Sequence, residues 1–172
     1  MLRFFEFLQE RTLDEGNKLF KNVQQPLSQG KKIGTVSAER WTRTPRENRE
    51  KDKNLKSDLA RLRSKGAIGG YKSATGRYID QETNKLGKGK SYVVRQGEGN
   101  KRKHFDKILK ALGKRYDQES TMHVKSNKEA EYRFKDKKEV DPQGKVVYNK
   151  PLVRGGGDTS FRGKQSFTTT GK

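Results

Sequence analysis

Apolar positions along this chain come in short clusters separated by polar, glycine-punctuated stretches. The clearest pattern is Leu55, Leu59 and Leu62, spaced i, i+4, i+7 as one face of a helix. Its start is written in Thr44-Pro45-Arg46-Glu47, a capping box with Thr44 as N-cap, Pro45 first in the helix and Glu47 third. Gly66 is its natural stop. A second helix is predicted over 100–112, with Phe105, Ile108, Leu109 and Leu112 as its apolar stripe and Gly113 at the stop position. Between the helices, Ala67–Ile79 and Ser91–Arg95 read as a strand pair joined by a Gly- and Lys-rich loop. Further on, Ser120–Lys125, Glu129–Phe134 and Lys145–Tyr148 read as short antiparallel strands. Asp141-Pro142-Gln143-Gly144 reads as a turn, with Pro fixing φ at its second position and Gly tolerating positive φ at its end.

These elements predict an α+β fold over 45–150: a small antiparallel sheet with two helices, between flexible basic N- and C-terminal segments. Residues 1–15 read as an amphipathic leader or a docking helix, with Leu2, Phe4, Phe5, Phe7, Leu8 and Leu13, and four acids against two bases. Residues 16–44 are polar, carry Gly16, Pro26, Gly30 and Gly34, and read as a linker. Residues 151–172, with Gly155-Gly156-Gly157 and Thr168-Thr169-Thr170, read as a loose tail.

Charge changes the picture more than composition does. Forty-one Lys and Arg stand against 21 Asp and Glu, a net charge of +20 on 172 residues. An excess of that size attracts polyanions before any specific contact is made. Cysteine is absent, so no disulfide and no thiolate metal site can form. The longest uncharged run is far short of a membrane span, so membranes are not among the expected partners.

The densest basic element is Lys101, Arg102, Lys103, Lys107, Lys110, Lys114 and Arg115, opposed only by Asp106. On a helix, Lys103, Lys107, Lys110 and Lys114 fall at i, i+4, i+7, i+11 beside the apolar stripe. Such a row suits phosphate contacts, and it suits equally a solvated face; the whole-chain charge favours binding. The first helix offsets much of its charge through neighbours such as Glu47–Lys51 and Asp52–Lys56. Trp41 between Arg40 and Arg43 reads as docking on a core in preference to stacking a base, and Tyr71 with Tyr78 as an aromatic platform is a minority reading. His104 and His123 are too few for a metal cluster, so no metal or cofactor is expected. Asp117, Glu119 and Lys125 form the acid–acid–lysine set that a small metal-dependent nuclease would need, but such triples arise readily by chance in so charged a chain.

The opening Met1-Leu2-Arg3-Phe4-Phe5-Glu6-Phe7-Leu8-Gln9-Glu10, followed by Leu13-Asp14-Glu15-Gly16, resembles the capsid-targeting peptide of internal head proteins in T-even-type tailed phages. That resemblance implies processing between Glu15 and Gly16, with Leu13 and Glu15 as the recognised residues, and a location in the virion and then the host cytoplasm. The remainder is similar in style to small uncharacterised phage proteins. Charge and resemblance together predict a non-enzymatic, virion-associated bacteriophage protein that binds nucleic acid through phosphates, DNA in preference to RNA. Capsid or scaffold proteins are its other expected partners. The alternatives are an RNA-binding component of a ribonucleoprotein particle and the nuclease.

Overall fold

The computed structural model of the chain describes residues 18–79, 83–136, 138, 140–150, 157–161 and 165–170. Among the described residues there are eight strands: β1 (Ile33–Ser37), β2 (Ile68–Ile79), β3 (Leu86–Gln96), β4 (Ser120–Val124), β5 (Glu129–Phe134), β6 (Val140–Tyr148), β7 (Gly157–Phe161) and β8 (Gln165–Thr169). They close into an antiparallel barrel in the order β1-β3-β2-β7-β8-β6-β5-β4, with β4 pairing back onto β1. Closure gives each strand a neighbour on both sides, although β2 meets β7 only over Thr75–Tyr78. The small sheet with two helices expected from the sequence is therefore corrected to a closed barrel.

Period-2 alternation decides what the barrel holds. Ile33, Ala74, Val93, Met122, Val124, Ala130, Val146, Phe161 and Phe167 point inward and pack as one core, with Tyr132 and Tyr148 against it. The π-helical turn Phe20–Gln24 and the short helix α1 (Gln25–Ser28) add Leu19, Val23 and Leu27 to that core, at the barrel end where β1 begins. The outer face of the same wall carries a second core. There Val36, Tyr92, Val94 and Ile68 meet Leu55 and Leu59 of helix α2 (Pro45–Ser64) and Phe105, Leu109 and Leu112 of helix α3 (Phe105–Arg115). β3 is thus covered on both sides, and Ser91, Tyr92, Val93 and Val94 are all buried. Gly34 lets α3 come close: a Cβ there would lie 2.2 Å from Leu109 Cδ1 and 2.8 Å from the Met122 carbonyl oxygen.

Several expectations match single elements and others do not. The capping box is formed as expected, with Thr44 accepting from the Glu47 amide and the Glu47 side chain accepting from the Thr44 amide. The second helix begins later than predicted, because Gly99–His104 is a 3₁₀ turn leading into α3. The expected turn at 141–144 lies inside β6, where the register against β5 shifts between Glu129 and Glu131 and Gly144 takes φ 72°. The stretch read as linker supplies α1 and β1. The stretch read as a loose tail supplies β7 and β8, the staves that complete the barrel. Threonine-rich segments fit a pleated wall well, and single inward aromatics such as Phe161 and Phe167 are enough to anchor them.

Candidate functional site

Helical residues fill the barrel at one end; at the other, where β1 finishes, the inward positions are small. Gly76, Gly89 and Gly157 contribute no side chain, and Thr35, Ser37, Ser91 and Thr159 contribute only hydroxyl-bearing ones. The result is a cavity of about 280 Å³ at the barrel mouth, floored by Met122, Tyr132 and Phe167. Apolar walls with a few converging polar groups are what a small-molecule site requires.

Two hydrogen-bonded groups tie the rim of the mouth together. Ser37 Oγ donates to the Lys90 carbonyl at 2.6 Å and accepts from the Glu39 amide at 3.1 Å. The Glu39 carboxylate accepts from the Lys90 amide at 2.6 Å, so the end of β1 is tied to β3. Ser91 Oγ is different. It is buried in this wall with no protein hydrogen-bond partner, and so can bond a water or a polar group of a bound molecule. Burial pushes the Tyr132 hydroxyl above its ordinary pKa, with the Asp141 charge adding to the effect, so it stays a neutral donor.

Charges at the mouth are mostly committed. Arg77 grips Asp158 with both forks, Nε to Oδ1 at 2.9 Å and Nη2 to Oδ2, and the Asp158 side chain is only 1% exposed. This pair clamps β2 to β7 across the seam where the expected tail joins the barrel. Lys90 turns outward to Asp52 at 2.5 Å, which also accepts from the Tyr92 hydroxyl at 2.9 Å. Among the described residues, the carboxylate at the mouth without an ion-pair partner is Glu39. Beyond Gly89 lies a second cleft, lined by Glu39, Trp41, Asn48, Gln118 and Glu119. Trp41 is 90% exposed there and does not dock on a core.

The residues singled out from the sequence lie elsewhere. Lys107, Lys110 and Lys114 are exposed along α3 and Lys103 is exposed in the 3₁₀ turn before it, all outside the barrel, and Arg115 approaches Asp58 at 3.2 Å. Lys101 and Arg102 lie in the preceding 3₁₀ turn. Leu13, Glu15 and Gly16 fall outside the described residues. Asp117 is held by Arg40 and Lys135, whereas Lys125 pairs with Glu129 and Glu131, so the proposed nuclease set does not converge. No group of acids and histidines suited to a metal ion occurs among the described residues. Tyr71 meets Tyr92 edge-on in the outer layer and offers no platform.

One buried polar chain lies between β4 and α3. Thr121 Oγ1 is 2.9 Å from His123 Nε2, and His123 Nδ1 is 3.3 Å from Asp106 Oδ1. Lys32 also reaches Asp106, at 2.6 Å. A neutral imidazole fits, accepting from Thr121 and donating to Asp106. Burial holds the His123 pKa below its ordinary value, outweighing the pull of Asp106. The His123 hydrogen bond, followed by Lys32 and Arg133, holds the Asp106 carboxyl well below the carboxylate range. In both cases the unfolded chain binds more protons than the folded one, so stability rises with pH. Thermal melts should therefore show stability falling as pH drops below about 6.5, through His123, and falling again below about 4, through Asp106. A melting temperature constant from pH 7.5 to 5 would contradict the neutral imidazole.

The family model of the S-adenosylmethionine lyase family matches residues 34–170. That span runs from within β1 to just past β8 and contains every residue that lines the mouth. Among solved structures, the chain is similar to a phage SAM lyase in complex with S-methyl-5'-thioadenosine, at 16% identity and a TM-score of 0.35. The similarity covers 66% of this chain and 88% of that one. No curated protein matches.

Proposed function

The chain belongs to the S-adenosylmethionine lyase family, and on that footing we propose that it cleaves S-adenosylmethionine at the mouth of its barrel. Family membership overturns the expectation of a non-enzymatic structural protein of the virion. It also overturns the expected DNA, RNA and capsid partners, because the family is one of enzymes acting on a small molecule. The row of lysines along α3 and the turn before it is then a solvated face. The nuclease reading falls with the same match.

The single observation that carries the proposal is the family match over the whole barrel, 34–170. The mouth supports it chemically. S-adenosylmethionine holds a sulfonium, whose sulfur leaves readily as a neutral thioether. A lyase breaks that bond without water as a reactant, so the electron pair for the carbon must come from within the substrate. The substrate's own carboxylate can close on the γ-carbon: a C–O bond forms, the C–S bond breaks, and S-methyl-5'-thioadenosine leaves with a lactone as the other product. No proton need move in that step. A site for it must hold the substrate folded and keep water away from the γ-carbon. A lumen of hydroxyls and apolar floor residues, with Arg77, Asp158 and Lys90 already paired, fits that task.

The test is product analysis by mass spectrometry after incubating the purified protein with S-adenosylmethionine. The proposal expects S-methyl-5'-thioadenosine together with a four-carbon product one water lighter than homoserine. Homoserine formed directly would point to hydrolysis, and no turnover at all would end the proposal.

A further inference from the structure

At the mouth, Gly76 of β2 pairs with Gly89 of β3, so the wall there has no side chain on either strand. A Cβ added at Gly76 would meet nothing nearer than the Gly89 carbonyl oxygen at 3.7 Å and Ser91 Oγ at 3.9 Å. A Cβ at Gly89 would lie 3.5 Å from Glu39 Oε2. Glu39 lines the cleft that shares Gly89 with the cavity, and its carboxylate stands beside the space a Gly89 side chain would take. Its fixed partner is a neutral one, the Lys90 amide. Asp158, by contrast, is enclosed by Arg77. Glu39 makes no ion pair among the described residues, although Arg40 and Lys88 line the same cleft, and a carboxylate so placed offers a bound cation its counter-charge.

From this placement we infer that Glu39 is the counter-ion of the substrate's sulfonium. The inference rests on the proposed cleavage of S-adenosylmethionine at this mouth, and it assigns to the site a means of telling the charged sulfonium from the neutral thioether. The chemistry sets the sign of its effect. The sulfur loses its positive charge as the C–S bond breaks, so a carboxylate beside it holds the ground state more strongly than the transition state. Glu39 is thus a recognition residue for the cation, and its loss acts on KM and leaves kcat intact.

Glu39→Gln removes the charge and keeps an oxygen to accept from the Lys90 amide. Steady-state kinetics on the full chain would give KM for S-adenosylmethionine, and inhibition by S-adenosylhomocysteine, the neutral thioether with the same nucleoside and amino-acid ends, would give Ki. The expected result is a KM raised roughly tenfold or more, a Ki changed by less than about twofold and a kcat no lower than wild type. A parallel rise in KM and Ki would overturn the assignment, because it would show a general structural or amino-group contact. An unchanged KM would overturn it as well. Should the wild-type chain show no turnover, the proposed reaction fails by itself. Calorimetric affinities for the two ligands then decide Glu39: a preference for the sulfonium that vanishes in Glu39→Gln supports the assignment, and one that persists or never existed overturns it.

Discussion

Gly76→Val should lower kcat/KM for S-adenosylmethionine by about a hundredfold or more while leaving the melting temperature within a few degrees of wild type. Gly76 faces the cavity from a regular stretch of β2, and a Cβ there meets only open space and atoms at 3.7 Å or beyond. Valine is also well suited to a strand. Its methyl groups would occupy the volume beside Ser91 and Glu39 that the substrate needs, and displacing a bound reactant by about 1 Å already costs about a hundredfold. Circular dichroism and thermal melts would establish the fold, and initial rates would establish the loss. A Gly76→Val chain with wild-type kinetics would place the reaction somewhere other than the mouth.

The second large effect concerns the clamp between β2 and β7. Asp158→Asn keeps the size and one acceptor of the buried carboxylate but leaves the Arg77 guanidinium, 25% exposed, without its counter-charge. Breaking one half of such a pair costs about 3 kcal/mol, which for a chain of this length corresponds to roughly 6–12 °C in melting temperature. The double change Arg77→Met with Asp158→Leu removes both charges and should recover much of that loss, since apolar replacements of buried pairs are often neutral or better. If the double variant is as unstable as the single one, the clamp matters for its geometry and not for its charge balance.

How far the sequence announces this structure depends on where each residue's periodicity comes from. Helix α2 is legible because its capping box and leucine spacing are local and agree with each other. β4 and β5 are legible because short alternating runs are bounded by turn residues. The barrel is not legible, since closure depends on β4 returning to β1 and β7 reaching β2, pairings that no local pattern records. Leu19, Val23 and Leu27 do fall at helical spacing, and that signal was available inside a polar stretch punctuated by Gly16, Pro26, Gly30 and Gly34. The site was hidden for a different reason. Its defining residues are glycines and small hydroxyl residues, notable for the space they leave, whereas the lysines of α3 are numerous and conspicuous. Charge density pointed to the outer face, and the cavity lies in the lumen.

The most direct test of the account is an NMR titration of the isotopically labelled chain with S-adenosylhomocysteine, whose neutral thioether is not cleaved. The account predicts that amide shifts concentrate at Thr35, Gly76, Gly89, Ser91 and Thr159, around the barrel mouth. Shifts centred on Lys103, Lys107, Lys110 and Lys114, or a spectrum without change at saturating ligand, would contradict it.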